Sequence, residues 1–266
     1  MKKILSLALV AILFVTCAFT FASCAKDDNT LVVGYTIYEP MNYEDESGKL
    51  IGFDTELAEA VAAKLGMDIR FKKIEWSNKY LELDSGAVNC LWNGFTSNCA
   101  DSDGIQRSDK VDFSYAYMNN EQCVVVKKEN AATLNTAAAL ADKKGAAEKG
   151  SAGEGVAKDF IADTEKNYVG KDSQAATLTE LKAGTVAFVV IDKTMAKTMV
   201  GNGDYTDLAI VDSIEIESEF YSVGFKKGSD LTAKVNQALK ELAEDGTMMQ
   251  LAVKYGLENY IITDLK

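Results

Sequence analysis

The chain has 266 residues, with 28 basic and 40 acidic side chains for a formal charge of −12, and it contains no histidine. Hydrophobic residues at 47% and charged residues at 26% are ordinary for a globular protein, which excludes collagen, coiled coil and low-complexity polymer. Without histidine, the Ser/His/Asp and Cys/His nucleophile arrangements and most catalytic zinc sites are ruled out. A pI near 4.6, with no basic, aromatic-interleaved stretch, makes nucleic acid a poor partner.

Lys2 and Lys3 precede an uncharged run, residues 4–22, interrupted only by the polar Ser6, Thr16 and Thr20, the pattern of an export signal. The run ends in Phe21-Ala22-Ser23-Cys24 before the polar Ala25, Lys26, Asp27, Asp28, Asn29 and Thr30. This resembles a bacterial lipobox, in which small residues let a peptidase reach the backbone and Cys24 becomes the lipidated first residue. Phe21 stands where leucine is usual. A plain membrane anchor of roughly 20 residues is the alternative. Removing residues 1–23 takes two lysines, leaving 26 basic against 40 acidic side chains and a charge of −14. Such an acidic body, tethered outside the membrane, suits reversible capture of a solute better than adhesion to anionic lipid. Of five cysteines, Cys17 leaves with the signal and Cys24 takes the lipid; the odd remainder, Cys90, Cys99 and Cys123, points to free thiols.

In chain order, residues 31–35 read as an apolar strand and residues 38–49 as a polar loop with the only proline, Pro40. Apolar residues at 57, 58, 61, 62 and 65 mark a helix over 53–65, stopped by Gly66. Ile69 and Phe71 alternate as a strand, a short helix fits 78–84, and 88–92 is another strand. A second unit starts after Glu121 with a strand over 123–126. Its further elements are expected at 154–162 (helix), 167–169 (strand), 175–181 (helix), 186–191 (strand) and 194–200 (helix). Residues 220–225 read as one strand, Leu231, Val235, Leu239 and Leu242 as a helix face ending at Gly246, and 248–255 as a last short helix. Alternating strands and helices imply an open, mostly parallel α/β sheet that binds ligands at the carboxyl ends of its strands.

Five fragments occur in one order: residues 48–54 (GKLIGFD), Trp92-Asn93-Gly94-Phe95-Thr96, Arg107 followed by Val111-Asp112-Phe113-Ser114, Leu181-Lys182-Ala183-Gly184, and Asp192. Together they resemble the bacterial extracellular amino-acid-binding proteins of ABC importers, solute-binding family 3, over nearly all of residues 31–258. The resemblance implies a two-lobed, type II periplasmic-binding-protein-like α/β fold whose lobes are joined by two crossing strands. Carried onto this chain, it gives a lipoprotein signal peptide at 1–23 and a tether at 24–29. Lobe 1 is then 30–117 with 222–266, lobe 2 is 123–216, and the hinge is 118–122 with 217–221.

A free amino acid offers a carboxylate, an ammonium and a side chain, so its site needs a fork of donors, an anion and a selective wall. Arg107 can grip a carboxylate with two parallel hydrogen bonds, which lysine cannot reproduce, and it aligns with the family's carboxylate-binding arginine. The resemblance puts Asn93, Gly94, Phe95 and Thr96 at the amino-acid head group. Gly150-Ser151-Ala152-Gly153-Glu154 reads as a turn feeding a helix, with Ser151 as its cap and Ala152 following; an ordinary N-cap is the plainer reading. Asp192 ends an apolar strand, where the family places its ammonium-binding aspartate; capping the next helix is its alternative. Tyr38 and Trp76 align with aromatic faces for the ligand side chain, and Thr36 lines the same pocket.

The chain departs from the family in carrying Met41 where an aromatic is common and about six extra residues within 97–106. It also has Ala187 in place of an acidic residue. Gly145-Ala146-Ala147-Glu148 replaces a valine-rich strand, which should therefore be weak. The resulting expectation is a monomeric, lipid-anchored receptor at the cell surface or in the periplasm. It would capture a polar free amino acid and deliver it to an ABC permease, with no metal, no cofactor and no catalysis. The rivals are an enzyme on the same fold, such as a cyclohexadienyl or arogenate-type dehydratase using Lys149 or Glu219, and a sensory ligand-binding domain acting through a partner chain.

Overall fold

The computed structural model describes residues 29–266, so the export signal, Cys17, Cys24 and most of the tether lie outside the described residues. Strand β1 (Thr30–Tyr35) leads into the Pro40 loop and a small hairpin, β2 (Tyr43–Glu44) with β3 (Leu50–Ile51). Helix α1 (Phe53–Leu65) buries Phe53, Leu57, Ala58, Val61 and Ala62, and Gly66 closes it in the left-handed conformation that a side chain would strain. Then come β4 (Asp68–Lys73), a single 3-10 turn at Trp76–Asn78, α2 (Lys79–Asp84), β5 (Cys90–Leu91), α3 (Arg107–Lys110) and β6 (Val111–Phe113). The long β7 (Met118–Lys127) leads to α4 (Ala137–Leu140), β8 (Gly145–Glu148), α5 (Ala152–Phe160), α6 (Thr164–Asn167) and β9 (Tyr168–Lys171). The chain continues through α7 (Gln174–Ala183), β10 (Phe188–Asp192), α8 (Lys193–Met199), β11 (Leu208–Ile210), β12 (Ser218–Tyr221), β13 (Gly224–Lys226), α9 (Leu231–Glu244) and α10 (Thr247–Lys254).

Two larger sheets organise these elements into two α/β lobes. One has the order β4-β1-β5-β13-β6, the other β11-β7-β10-β8-β9. Neither is mostly parallel. β1 runs parallel to β5, and β8 parallel to both β10 and β9, but β13 is antiparallel to β5 and β6, and β7 is antiparallel to β10 and β11. The first half of β7 pairs with β12 instead, Met118 opposite Tyr221 and Glu121 opposite Ser218. Residues 220–225 are accordingly two strands, because the chain changes sheets at Ser222 and Val223. Their amides turn to the Phe95 carbonyl and the Ser114 hydroxyl.

The core of the first sheet gathers Leu31 and Val33 of β1, Leu57 and Val61 of α1, Phe225, and Val235 and Leu239 of α9, all fully buried. On one face of the second, Val124, Val126, Phe188 and Val190 pack on Leu140, Ala157 and Ile161. The expectation that residues 145–148 make a weak strand fails. β8 is buried along its whole length and paired on both sides. A Cβ on Gly145 would lie 2.3 Å from the Phe188 ring, so the aromatic fills the space that branched side chains fill elsewhere. Cys90 and Cys123 are buried free thiols and Cys99 a half-buried one. Among the described residues no helix is long and apolar enough to cross a membrane.

Candidate functional site

Arg107 opens α3 and is 1% exposed. Its Nε donates to Asp101 Oδ1 (2.8 Å), Nη1 to the Thr96 carbonyl (3.1 Å) and Nη2 to the Gly150 carbonyl (3.1 Å), while the guanidinium lies 5.1 Å from the centre of the Phe95 ring. Two of its five N–H groups stay available for an incoming anion. The segment 97–106 therefore fixes Arg107, because Asp101 comes from it. Asp101 also receives Lys110 Nζ (2.8 Å) and the Tyr80 hydroxyl (2.5 Å). Burial pushes the Asp101 carboxyl up, but the Arg107 and Lys79 charges and these hydrogen bonds overcome it and hold the group at about 2.

Asp192 ends β10 and directly precedes α8, yet its side chain caps nothing. The carboxylate is 6% exposed and accepts hydrogen bonds from Asn120 Nδ2, Gln122 Nε2 and the Tyr221 hydroxyl, each at 2.7 Å, and from Gln174 Nε2. Burial pushes its pKa up while those four donors stabilise the anion. Glu219 shares two of the donors, Asn120 (3.0 Å) and Gln122 (2.9 Å), and takes the Thr96 hydroxyl at 3.2 Å. Burial, and then the Asp192 charge, push Glu219 up to about 7. With four donors against three, Asp192 holds negative charge more readily than Glu219.

Among the cavities between the lobes, one is walled by Trp76, Asn93, Gly94, Thr96 and Arg107 on one side and Glu148, Ser151, Ala152, Gln174 and Asp192 on the other. Its volume is about 10 Å³, room for one water, so the lobes are closed and must part to admit anything larger. The Gly150 carbonyl latches them, accepting Lys79 Nζ (2.8 Å) as well as Arg107 Nη2. Gly150 has φ 75, and a Cβ there would sit 3.0 Å from Lys79 Nζ, so the latch needs a glycine. Burial first, then the Arg107 charge, lowers Lys79 to about 8.

Eight of the sequence-derived candidates, Trp76, Asn93, Gly94, Thr96, Arg107, Ser151, Ala152 and Asp192, meet on this wall. Thr36, Tyr38 and Phe95 are turned elsewhere. Thr36 bonds Asn93 Oδ1 through its amide (3.1 Å) and hydroxyl (2.7 Å); Tyr38, 2% exposed, exchanges a hydroxyl hydrogen bond with Tyr221 (2.7 Å). Phe95 is fully buried between Trp76, Phe113 and the Arg107 guanidinium. The Gly94 amide donates to Asp54 (2.7 Å), a buried carboxyl pushed up to about 7. Ser151 is the N-cap of α5, accepting the Glu154 amide at 3.1 Å, while Glu154 takes the Gly150 amide at 2.7 Å.

Sequence reasoning missed Lys79, Asp101, Glu148 and Gln174. Glu148 ends β8 as Asp192 ends β10, so the signal that found one, an acidic residue closing an apolar strand, was present for the other. Gln174 follows the capping Ser173, which accepts the Ala176 amide, and carried no comparable mark. Among the described residues no cluster of three or more acidic or thiol side chains is arranged to hold a metal ion.

The arrangement offers a guanidinium and a carboxylate facing one space from opposite lobes. The L-cystine-binding protein TcyJ of Escherichia coli K12 is 28% identical over 242 residues, covering 86% of this chain and 84% of that protein. The probable amino-acid-binding protein YxeM of Bacillus subtilis is 31% identical, with 98% of each chain covered. An ancestral arginine-binding protein solved with arginine superposes with a TM-score of 0.77 at 32% identity, over 85% of this chain and 98% of that one. The family model for bacterial extracellular solute-binding proteins, family 3, matches residues 31–258, and the chain belongs to that family.

Proposed function

We propose that this protein captures a free amino acid between its two lobes outside the cell membrane and delivers it to an ABC permease. The observation that carries the reading is the pair Arg107, at the start of α3, and Asp192, at the end of β10, on opposite walls of one cavity. Arg107 takes the ligand carboxylate with its two remaining N–H groups, and Asp192 takes the ammonium. Asn93, Gly94 and Thr96 line the head-group end, Ser151 and Ala152 approach from the second lobe, and Trp76 supplies the apolar face. The hinge is 118–122 with 217–221, supported by the antiparallel pairing of β7 with β12 that links the sheets. Lipidation at Cys24 keeps the receptor at the membrane surface.

A dehydratase reading requires a free acid or base, and the nominated groups are committed. Glu219 is held by Thr96, Asn120 and Gln122, and the half-exposed Lys149 pairs with Asp172 at 2.6 Å. The test is titration calorimetry of the purified chain against a panel of L-amino acids, with product analysis of every mixture and with prephenate and arogenate included. Binding of an amino acid that is recovered unchanged is expected. Turnover abolished by Glu219→Gln would put the enzyme first.

A further inference from the structure

We propose that Glu148 selects the ligand's side chain, and that the ligand is an amino acid whose side chain is cationic. This rests on the amino-acid-binding reading above and names the substrate class of the same site. Glu148 is 4% exposed at the end of β8 and stands on the cavity wall, and its Oε1 has no hydrogen-bond partner. The hydroxyl, amide and other charged side chains that the wall contributes each have one: Asn93, Thr96, Arg107, Ser151, Gln174 and Asp192. A buried carboxyl oxygen without a donor is unfavourable unless something arrives to satisfy it. The two charges common to all amino acids are matched by Arg107 and Asp192, so the third ionisable group on the wall is left for the part that differs between them. A guanidinium or ammonium there would lie beside the Trp76 ring and give Glu148 a charge-assisted partner. A ligand carboxylate would be repelled by it.

The charged and titratable groups around Glu148 agree with this. Burial, then Asp192 on β10, push its carboxyl up to about 8, with Asp172 just past β9 adding to the shift and Lys79 on α2 opposing it; Tyr168 on β9 also faces it. Near neutral pH the carboxyl is protonated in the closed ligand-free protein, and a cationic side chain displaces that proton to solvent as it binds.

The experiment is titration calorimetry of the full chain at pH 7 with L-arginine, L-lysine, L-citrulline, L-glutamine and L-glutamate, repeated with Glu148→Gln and in two buffers of different ionisation enthalpy. Arginine or lysine should bind at least about tenfold more tightly than citrulline, the uncharged isostere of arginine, and should release a proton that citrulline does not. Glu148→Gln should erase that preference and the proton release while leaving citrulline within about threefold of its parent value. Tighter binding of glutamine or citrulline than of either cation overturns the inference and leaves the amino-acid-binding reading standing. An equal loss for every ligand in Glu148→Gln also overturns it, since Glu148 would then serve the common ammonium. If none of the five binds but another amino acid of the wider panel does, this inference fails alone; if no amino acid binds, the amino-acid-binding reading fails and this inference with it.

Discussion

Arg107 is held by its surroundings before any ligand arrives, with Nε on Asp101 and Nη1 on the Thr96 carbonyl inside its own lobe. Asp192 is similarly preset by four donors. Such preorganisation means that deleting either group leaves a desolvated ligand charge unpaired. Arg107→Ala and Asp192→Ala should each weaken binding by about 2–5 kcal/mol, or roughly 30-fold to several thousandfold, in calorimetry with the best ligand of the panel. Lys240→Ala on α9 is the control and should change nothing. Parent-like affinity in both cleft variants would place the site elsewhere. Asp101 makes a sharper case, because it does not itself line the cavity and acts through the residues it holds, Arg107, Tyr80 and Lys110, and through Lys79, 3.9 Å from its Oδ1. Asp101→Ala leaves Arg107 buried without its anion, so folding should lose roughly 3 kcal/mol and affinity should fall with it. Denaturant titration and calorimetry on the same sample read both; a stability loss with unchanged affinity would mean that Arg107 is positioned without Asp101. Asp101 could not be read from sequence, because its pairing spans a loop rather than a helical or strand period. Arg107 was legible only through the family resemblance, ahead of Val111-Asp112-Phe113-Ser114, whereas for Asp192 and the 92–96 run polar residues at strand ends also have a fixed meaning in an α/β sheet.

Among the elements, β8 is where sequence and structure part most clearly. Gly145, Ala146 and Ala147 have poor strand propensity, and a strand of such residues pairs only if its neighbours supply the packing. They do: Phe188 of β10 lies across Gly145, and α5 and α7 cover the two faces through Ala157 and Leu178. The missing volume in one strand is matched by an aromatic in the next, a relation between positions more than 40 residues apart that no local pattern reveals. Gly145→Ala should therefore destabilise, against the usual effect of replacing glycine in a regular element, because the new methyl must displace the Phe188 ring. A loss of about 1–3 kcal/mol is expected from the denaturant midpoint. Pairing it with Phe188→Leu should recover part of the loss that the two single changes sum to. Strict additivity of the two would show that the ring and the glycine do not depend on each other. The same logic explains why residues 220–225 read as one strand: alternation of apolar residues shows that a segment is extended but not that its partner changes midway, at Ser222 and Val223.

For the whole molecule, closure concentrates carboxyl groups where water is excluded, and this sets how stability depends on pH. Glu219, Glu148 and Asp54 are pushed by burial to about 7, about 8 and about 7. Unfolded, the same groups titrate near their ordinary values of 4.5, 4.5 and 3.8. Between those limits the folded chain binds more protons than the unfolded chain, so stability falls as pH rises from about 4 to about 8. Lys79 behaves oppositely: burial lowers it from 10.5 to about 8, so its penalty is complete below pH 8 and is relieved only above it. Asp101, held at about 2 against 3.8, adds stability that is lost only as the pH drops below 4. The ligand-free protein should accordingly be most stable near pH 4 and least stable near pH 8. A full shift of Glu219 is worth up to about 3 kcal/mol, which for a domain of this size corresponds to roughly 6–12 °C in melting temperature. Glu219→Gln removes one proton-linked site and should flatten the profile while raising the melting temperature at pH 8. Because Glu148 and Glu219 are dehydrated by the closed arrangement, their ionisation also favours parting of the lobes. Small-angle scattering of the ligand-free chain should then show a larger radius of gyration at pH 8.5 than at pH 5.5, a difference that Glu219→Gln combined with Glu148→Gln reduces. A melting temperature that climbs from pH 5 to pH 8, with no change in radius, would mean that these carboxyls are already ionised in the closed protein and that the charge assigned to Glu219 and Glu148 is wrong.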